Sequence, residues 1–261
     1  MIYAIIQARM GSTRLPGKVM MDLCGSPVIE HVVNRLNESK LIDKIIIATS
    51  EDENNLPIID FCKNHDVGLF VGSEDDVLDR YYQTAIANNV KDEDIIIRIT
   101  SDCPLIDPFV VDKVIEEHIS KNNDYTTNVI DCTYPDGLDC EVFNFNVLKD
   151  TWINANLSSQ REHVTLYIRD NPSKFKLGNV KNSTDLSNLR WTLDEKEDFI
   201  FINEVYKNLF NSDSFFTMED VVQLLNEKPE LLNINSKFTR NEGLLKSLKE
   251  DVDLGNRNVN E

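Results

Sequence analysis

Short apolar runs alternate with amphipathic segments along the first 124 residues. The runs rich in Ile and Val predict strands at residues 2–8, 45–49, 69–72 and 95–100. Between and after them, apolar residues at helical spacing predict helices at residues 27–38, 56–64, 77–88 and 108–121. Strands and helices that alternate at this spacing favour an α/β fold with a mostly parallel central sheet flanked by helices.

The pattern is less regular after Asp124. Further strands are predicted at residues 125–129, 138–144, 175–180 and 189–193, and further helices at 146–155, 160–170 and 195–210. The chain from Phe216 onwards is helical and charged in pattern, and its polar end at 251–261 is expected to fray. We therefore expect a main domain at residues 1–233 and a small, helical and partly frayed C-terminal tail at 234–261.

The charge balance excludes some classes of partner. The 261 residues include 45 acidic and 27 basic side chains, for a net charge of -18. Such a chain repels nucleic acids and anionic membrane surfaces, so we expect it to bind neither. No apolar run reaches the ~20 residues of a membrane span, and the short N-terminal run has no basic leader. The five cysteines form no C-x-x-C pair, and a cytoplasmic protein with reduced thiols is expected.

The loop after the first predicted strand carries the densest local signal. It reads QARMGSTRLPGK at residues 7–18, with two glycines, two hydroxyl side chains and three cations: Arg9, Arg14 and Lys18. At the carboxyl edge of an open α/β sheet, these residue types can cradle phosphates. The spacing matches neither the P-loop nor the dinucleotide-binding glycine pattern. The alternative is a surface loop with solvated cations.

Two aspartates follow predicted strands. Asp102 comes after residues 95–100, and Asp194 ends residues 189–193. If both strands lie parallel in one sheet, both carboxylates project from the same edge, near the first loop. Mg²⁺ is commonly held by one or two carboxylates together with phosphate oxygens. The alternative is a role in capping or turns, which is common for Asp after a strand.

Taken in order, six motifs identify a resemblance that runs from Ile2 to about Asn233. The first is the loop at 7–18, and the others are GSEDDVLDRY (72–81), RITSDCPLI (98–106), YPDGLD (134–139), REHVT (161–165) and LRWTLD (189–194). The set resembles the cytidylyltransferase family that includes the spore-coat polysaccharide biosynthesis protein F group. That family is related to the CMP-sialic acid, CMP-legionaminic acid and CMP-Kdo synthetases.

The resemblance implies a GT-A-like nucleotidyltransferase fold, CTP as a substrate, Mg²⁺ as cofactor and a homodimer. It implies catalytic roles for Arg14, Lys18 and Asp102, with Asp102 and Asp194 as metal ligands. The expected nucleotide-binding residues are Gln7, Ala8, Arg9, Gly11, Ser12, Thr13, Thr49, Ser50, Arg80 and Ser101. For Arg80, which lies on a predicted helix, a surface ion pair is the alternative.

The second half of the chain supplies candidates for binding an anionic acceptor. They are Asp136, Asp139, Glu141, Arg161, His163 and Arg190. A cation here could bind a carboxylate or phosphate of the acceptor, and we expect Arg161 rather than His163 to make that contact. His163 could act as a general base. The alternatives are an Asp-Gly turn between strands and structural roles for the histidine and the arginines.

The sequence therefore predicts a nucleotidyltransferase that joins a nucleoside monophosphate, CMP by resemblance, to a sugar, sugar phosphate or sugar-like acid. A glycosyltransferase on the same fold is the main alternative, and it usually carries a D-x-D motif. Such strings occur at Asp92-Glu93-Asp94 and Asp251-Val252-Asp253, neither at the expected edge of the sheet. A non-catalytic nucleotide-binding protein is a second alternative. A dehydrogenase is disfavoured because no glycine fingerprint follows the first strand.

Overall fold

The computed structural model describes residues 1–211, 214–240 and 242–252. Nine strands form within these residues: β1 (Ile2–Gln7), β2 (Asp22–Leu23), β3 (Ser26–Pro27), β4 (Lys44–Ser50), β5 (Gly68–Gly72), β6 (Ile95–Thr100), β7 (Tyr125–Thr127), β8 (Glu141–Asn144) and β9 (Leu177–Asn179). Seven of them make one sheet in the order β5-β4-β1-β6-β8-β7-β9. The pair β2 and β3 forms a small antiparallel hairpin outside it.

The sheet is mostly parallel, as predicted. β5, β4, β1 and β6 run parallel to one another, and Ala4 of β1 lies between Ile45 and Ile97 of its two neighbours. β8 is antiparallel to both β6 and β7, while β7 is parallel to β9. Because β1 lies between β4 and β6, its carboxyl end opens where the strand order reverses, which is where α/β sheets bind ligands.

The α-helices within the described residues are α1 (Val28–Asn37), α2 (Leu56–Asn64), α3 (Val77–Ala87), α4 (Pro108–Lys121), α5 (Phe145–Asn154), α6 (Ser158–Glu162), α7 (Leu166–Asp170), α8 (Lys196–Leu209), α9 (Met218–Glu227) and α10 (Glu242–Lys249). Short 3-10 helices lie at Lys18–Met20, Glu53–Asn55 and Pro229–Asn233. None of the helices in the described part of the chain has the length and apolar character needed to cross a membrane.

Both faces of the sheet are buried, which explains why β1 reads as a continuous apolar run. Ala4 and Ile6 belong to the apolar cluster on one face, and Tyr3 and Ile5 belong to the cluster on the other. A third cluster lies around α8 and α9 and includes Trp191. Strand β1, which leads into the first loop, is therefore held in place by apolar packing on both faces of the sheet.

The predicted strand at 189–193 is wrong. Only Arg190 makes an isolated bridge, to Asp136. The amide of Trp191 donates to the carbonyl of Asp136 at 2.6 Å, and the amide of Leu193 donates to the carbonyl of Asp102 at 2.8 Å. The segment pairs with loops rather than with a strand, and its apolar pattern reflects burial of Trp191 and Leu193 in the third cluster.

The predicted helix at 160–170 is two short helices, α6 and α7. The break falls at Val164, which has a φ of 55°. A β-branched residue adopts this left-handed conformation only under strain. The turn lies between His163 and Thr165. The His163 side chain contacts Ser247, whereas the Thr165 hydroxyl donates to Glu141.

Strands β7, β8 and β9 are three to four residues long, which is shorter than their apolar patterns predict. The C-terminal tail is helical as predicted at α10. Of the polar end at 251–261 that was expected to fray, Asp251 and Val252 are hydrogen-bonded to Ser158 and Ser159, and residues 253–261 lie outside the described residues. The domain boundary at residue 233 stays a prediction.

Candidate active site

The loop after β1 folds back on its own backbone. The carbonyl of Met10 accepts hydrogen bonds from the amides of Ser12 and Gly17, each at 3.0 Å. Gly17 has a φ of 71°, a left-handed conformation that glycine adopts without strain. The chain then enters the 3-10 helix at Lys18–Met20, where the Lys18 side chain is only 10% exposed. The loop thus delivers a buried cation to the edge of the sheet.

Lys18 lies between the two aspartates that the sequence singles out. Its Nζ donates to Asp102 Oδ2 at 2.7 Å and to Asp194 Oδ1 at 2.8 Å. The two carboxylates therefore meet, although residues 189–193 do not form the strand that was expected to bring them together. The two carboxylates do lie at one edge of the site, as expected. A loop contact, from the Leu193 amide to the Asp102 carbonyl, brings them together instead of strand pairing.

The charges in this cluster stabilise one another. Burial alone would lower the pKa of Lys18, but Asp102 and Asp194 outweigh burial and raise it. Burial would likewise raise the pKa of Asp102, but the ammonium of Lys18 and hydrogen bonds, including one from Thr100, lower it to about 2. At neutral pH, the ammonium and the Asp102 carboxylate are therefore both charged.

Arg190 and Asp198 hold Asp194 in place. The Asp198 carboxylate accepts from the amides of Asp194 and Glu195 at 3.0 and 2.9 Å, and so caps α8. Its oxygens also accept from Nε and Nη2 of Arg190, each at 2.9 Å. The same guanidinium reaches Asp194 Oδ2 at 3.4 Å. Asp198 is thus a charge at a helix N-terminus, and Arg190 is a positioning residue.

Arg14 lies on the outer side of Asp194. Its Nη2 is 2.9 Å from Asp194 Oδ1, and its Nη1 is 3.4 Å from Glu195 and 3.7 Å from Glu242. The side chain is 37% exposed, far more than Lys18. It is a cation that can exchange carboxylate partners for the phosphate of a ligand.

Two adjoining cavities open at this cluster. One, the loop cavity, has a volume of about 280 Å³ and lies under the first loop. The other, the C-terminal cavity, has a volume of about 250 Å³ and is partly walled by the C-terminal segment. Six residues line both: Arg14, Arg98, Thr100, Asp102, His163 and Asp194. Arg14 of the first loop and Asp102 thus line the same cavities, so both can contact one ligand.

The loop cavity brings together most of the predicted nucleotide contacts: Gln7, Ala8, Arg9, Ser12, Thr13, Arg80 and Ser101. Oε1 of Gln7 and Nε of Arg80 are buried without a hydrogen-bond partner. Arg80 is only 2% exposed, so its interpretation as a surface ion pair is wrong.

Three predicted nucleotide contacts do not line either cavity: Gly11, Thr49 and Ser50. Thr49 and Ser50 are fully buried at the end of β4. The hydroxyl of Ser50 donates to the Glu74 carboxylate and accepts from Nδ2 of Asn55 at 2.6 Å. Asn55 in turn accepts from the amide of Met10 at 2.8 Å. Ser50 is therefore linked to the first loop through Asn55 and has a structural role.

The C-terminal cavity is lined by five of the six predicted acceptor residues: Asp136, Asp139, Glu141, His163 and Arg190. Asp136 and Asp139 flank Gly137, whose φ is 110°. A Cβ at Gly137 would lie 2.6 Å from the backbone carbonyl carbon of Trp191, so the Asp-Gly turn packs directly against residues 190–192. Burial and the neighbouring carboxylates of Asp136 and Glu141 raise the pKa of Asp139 to about 7, against the opposing effect of Arg240.

Arg161 is the acceptor candidate that the structure does not bring to a cavity. Its Nε and Nη2 donate to the Asp76 carboxylate at 2.7–3.1 Å, and its Nη1 donates to the carbonyl of Trp152 at 2.7 Å. The side chain is 3% exposed. This guanidinium joins α6 to the start of α3, and His163 is the one of the pair that faces the site.

His163, which directly precedes the turn at Val164, lines both cavities. Its Nε2 is 3.0 Å from the hydroxyl of Ser247 in α10. Burial lowers the pKa of His163, and the positive charges of Arg98 and Arg169 add to this effect. The imidazole is therefore neutral at pH 7 and can accept a proton.

The sequence analysis missed two arginines of the C-terminal cavity, Arg98 and Arg169. Each has a buried Nε without a hydrogen-bond partner, and Arg98 also pairs with the buried Glu141. Burial would raise the pKa of Glu141, but Arg98, Arg169 and hydrogen bonds from Thr165 and Tyr125 lower it. A signal existed for Arg98, because a charged residue interrupts the apolar strand β6. None marks Arg169.

The donor set for a metal is small. Across residues 1–211, 214–240 and 242–252, no group of three or more His, Cys, Asp or Glu side chains is placed to hold a metal ion. Asp102 and Asp194 provide two carboxylates that already surround one cation. An ion at this point would take its other ligands from substrate and water, which suits Mg²⁺.

Comparison with known proteins agrees with this geometry. The family model described as cytidylyltransferase matches residues 3–239. The chain is 36% identical over 236 residues to the spore coat polysaccharide biosynthesis protein SpsF of Bacillus subtilis, covering 88% of this chain and 95% of that protein.

Among solved structures, a cytidylyltransferase from Leptospira borgpetersenii superposes with a TM-score of 0.84 at 29% identity, covering 91% of this chain and 98% of that one. CMP:2-keto-3-deoxy-manno-octonic acid synthetase, solved with CTP, superposes with a TM-score of 0.59 at 17% identity, covering 80% and 99%. The second likeness shows a shared fold. The predicted resemblance is confirmed, and the chain belongs to the cytidylyltransferase family of nucleotidyltransferases.

Proposed function

We propose that this enzyme transfers CMP from CTP to an anionic, sugar-like acceptor and releases pyrophosphate. The observation that carries the proposal is the contact of the Lys18 ammonium, in the loop cavity, with Asp102 and Asp194, which line both cavities. A transferase for two substrates needs two subsites that meet at the reacting phosphorus, and these cavities meet at the charged cluster.

The nucleotide occupies the loop cavity in this proposal. Its triphosphate lies against residues 8–18, where Arg14 and Lys18 provide positive charge and the loop provides amide groups. Phosphoryl transfer depends mainly on positioning and charge stabilisation, so these cations act by stabilising negative charge on the phosphates. CTP in the solved structure of the octonic acid synthetase supports a cytidine nucleotide for this family member.

Mg²⁺ fits the donor set, and Asp102 and Asp194 would hold it. When bound, such an ion neutralises phosphate charge. In the structure described here, the ammonium of Lys18 contacts both carboxylates and orients them. Lys18 would then contact a phosphate oxygen of the nucleotide instead of one of the aspartates.

The acceptor occupies the C-terminal cavity. Arg98 and Arg169 line this cavity and support an anionic group on the acceptor, because guanidinium groups favour carboxylate or phosphate partners. An oxygen of the acceptor attacks the α-phosphorus, a new P–O bond forms, and the bond to the β-phosphate oxygen breaks. If that oxygen begins as a hydroxyl, the neutral imidazole of His163 accepts its proton.

The D-x-D strings that a glycosyltransferase would use have other partners. Asp94 accepts from the N-terminal ammonium at 2.6 Å, and Asp251 accepts from Ser158 and Ser159 at 2.8–3.1 Å. Asp253 lies outside the described residues. No observation in the described part of the chain favours the glycosyltransferase reading.

The test is a pyrophosphate-release screen of CTP, UTP, GTP and ATP, each with Mg²⁺, against acidic sugars and sugar phosphates. We expect release with CTP and an acidic acceptor, and none after chelation of Mg²⁺. Release of a nucleoside diphosphate from a nucleotide sugar, with no pyrophosphate from any triphosphate, would contradict the proposal. The family relationship to SpsF supports a place in surface-polysaccharide synthesis in the cytoplasm, and a homodimer stays a prediction.

A further inference from the structure

The segment at 239–252, called the strap here, lies across the C-terminal cavity; all of it except Asn241 is described. Thr239, Glu242, Gly243 and Leu244 line this cavity, and none of them lines the loop cavity. The family model ends at residue 239, which is the first residue of the strap. A wall of the acceptor side thus comes from the C-terminal segment.

Polar contacts, rather than apolar packing, hold the strap. The α10 helix has no buried residue, and its Leu245 and Leu248 are about half exposed. Few buried apolar contacts imply a low free energy of local opening. The strap can therefore open without disturbing the core.

Among the described strap residues, the polar contacts with the rest of the protein reach the site, Tyr134 beside it and helix α6. Arg240 pairs with Asp139 and donates from Nη1 to the carbonyl of Tyr134 at 3.1 Å. Glu242 lies 3.7 Å from Arg14. Arg240 thus joins the strap to Asp139 in the wall of the C-terminal cavity, and Glu242 joins it to Arg14 of the first loop.

The far end of the strap is tied to α6. Ser247 lies 3.0 Å from Nε2 of His163 and donates to Glu162 at 2.6 Å. Asp251 accepts from the amide and hydroxyl of Ser159 at 3.0 and 2.8 Å. The strap is thus latched at both ends, with the cavity between the latches.

We propose that the strap closes over the acceptor in the C-terminal cavity, with the Arg240–Asp139 ion pair as its principal latch, and so sets the affinity for the acceptor but not for the nucleotide. This inference rests on the proposed function. Arg240 is a positioning residue, since it holds the wall rather than lining the cavity.

The test uses full-length variants, Arg240→Met and Asp251→Asn, assayed at pH 8 so that Asp139 is ionised. We expect the KM for the acceptor to rise about threefold or more, because a partly exposed ion pair contributes up to about 1 kcal/mol. The KM for CTP should stay within twofold. Lys246→Gln is the matched control, since this exposed lysine lies on the same helix and should change neither constant.

Hydrogen–deuterium exchange gives a readout that needs no acceptor. The amides of α10 should exchange about threefold faster or more in Arg240→Met than in the wild type, with the amides of α8 unchanged. If both variants turn over like the wild type with an unchanged acceptor KM, the proposed closure of the strap is wrong and the proposed function still stands. An equal rise in both KM values would also overturn the closure. A wild type that releases no pyrophosphate contradicts the proposed function, and unchanged α10 exchange then rejects the latch separately.

Discussion

Asp102 and Asp194 are 92 positions apart in the sequence, yet their carboxylate oxygens lie 2.7 and 2.8 Å from the same atom, Nζ of Lys18. The three residues come from the end of β6, the start of α8 and the first loop. Their mutual contact makes one charged cluster at the wall between the two cavities. The predictions below follow from that cluster and from the contacts that support it.

Replacing Lys18 with Met should reduce kcat/KM for pyrophosphate release by about 10²-fold or more, because a preorganised positive charge is lost from the phosphate site. The variant should also gain more thermal stability from added Mg²⁺ than the wild type, since Asp102 loses the cation that contacts it and Asp194 keeps only its two arginine partners. Steady-state kinetics and thermal melts with and without Mg²⁺ measure the two effects. Lys63→Gln, an exposed lysine of α2, is the control. Turnover within threefold of wild type in Lys18→Met would contradict a role at the phosphates.

Asp102→Asn tests the metal assignment separately. The amide keeps the size of the side chain but removes the charge that Mg²⁺ requires. We expect turnover to fall about 10²-fold or more and excess Mg²⁺ not to restore it. The readout is a Mg²⁺ titration of pyrophosphate release, with the melting temperature as a check on folding. Turnover retained at excess Mg²⁺ would remove Asp102 from the metal site.

Arg161→Met should destabilise the protein by about 3–5 kcal/mol, because it leaves the buried Asp76 carboxylate without its cation. Urea unfolding measures this loss. The double variant Asp76→Asn with Arg161→Met should lose less than the sum of the two single changes, since they remove one shared contact. If Arg161→Met instead left the free energy of unfolding unchanged and raised the acceptor KM, the structural role would be wrong.

Gly137→Ala should destabilise the protein by about 2 kcal/mol or more. The residue has a φ of 110°, and its new Cβ would lie 2.6 Å from the backbone of Trp191. The added methyl should also push residues 190–192 away from Asp136 and lower turnover. Chemical denaturation compares it with Gly243→Ala, whose Cβ would meet nothing within 4 Å. Equal stability of the two variants would refute the close-packing argument.

Asp139 should make stability depend on pH. Its pKa is raised from 3.8 to about 7, chiefly by burial. A raised folded pKa means that the folded protein keeps the proton while the unfolded chain releases it. The stability contributed by Asp139 is therefore complete below about pH 4 and is lost as the pH rises to about 7. The free energy of unfolding, measured relative to Asp139→Asn, should fall over this window. A difference that stays flat from pH 4 to 7 would show that the pKa is not raised.

The first half of the fold follows from local pattern. The predicted strands β1, β4, β5 and β6 agree with the structure within one residue at each end. Strands β1, β4 and β6 are largely buried, and strands buried on both faces require continuous apolar runs whatever their neighbours are. The first loop was predicted for the same reason, since its cations and glycines directly follow such a strand. The segment at 189–193 failed because burial against helices produces the same apolar run as a strand.

The sequence by itself therefore determined which segments are buried and which charged residues follow strands β1 and β6, namely the cations of the first loop and Asp102. Only the tertiary structure decided the partners of the charged side chains. Arg161 turned to Asp76 and His163 to the cavity, while Arg98 and Arg169 joined the site without being predicted. The physical reason is that apolar burial repeats along the chain with the period of the helix or strand, whereas an ion pair depends on residues that only folding brings within a few ångströms.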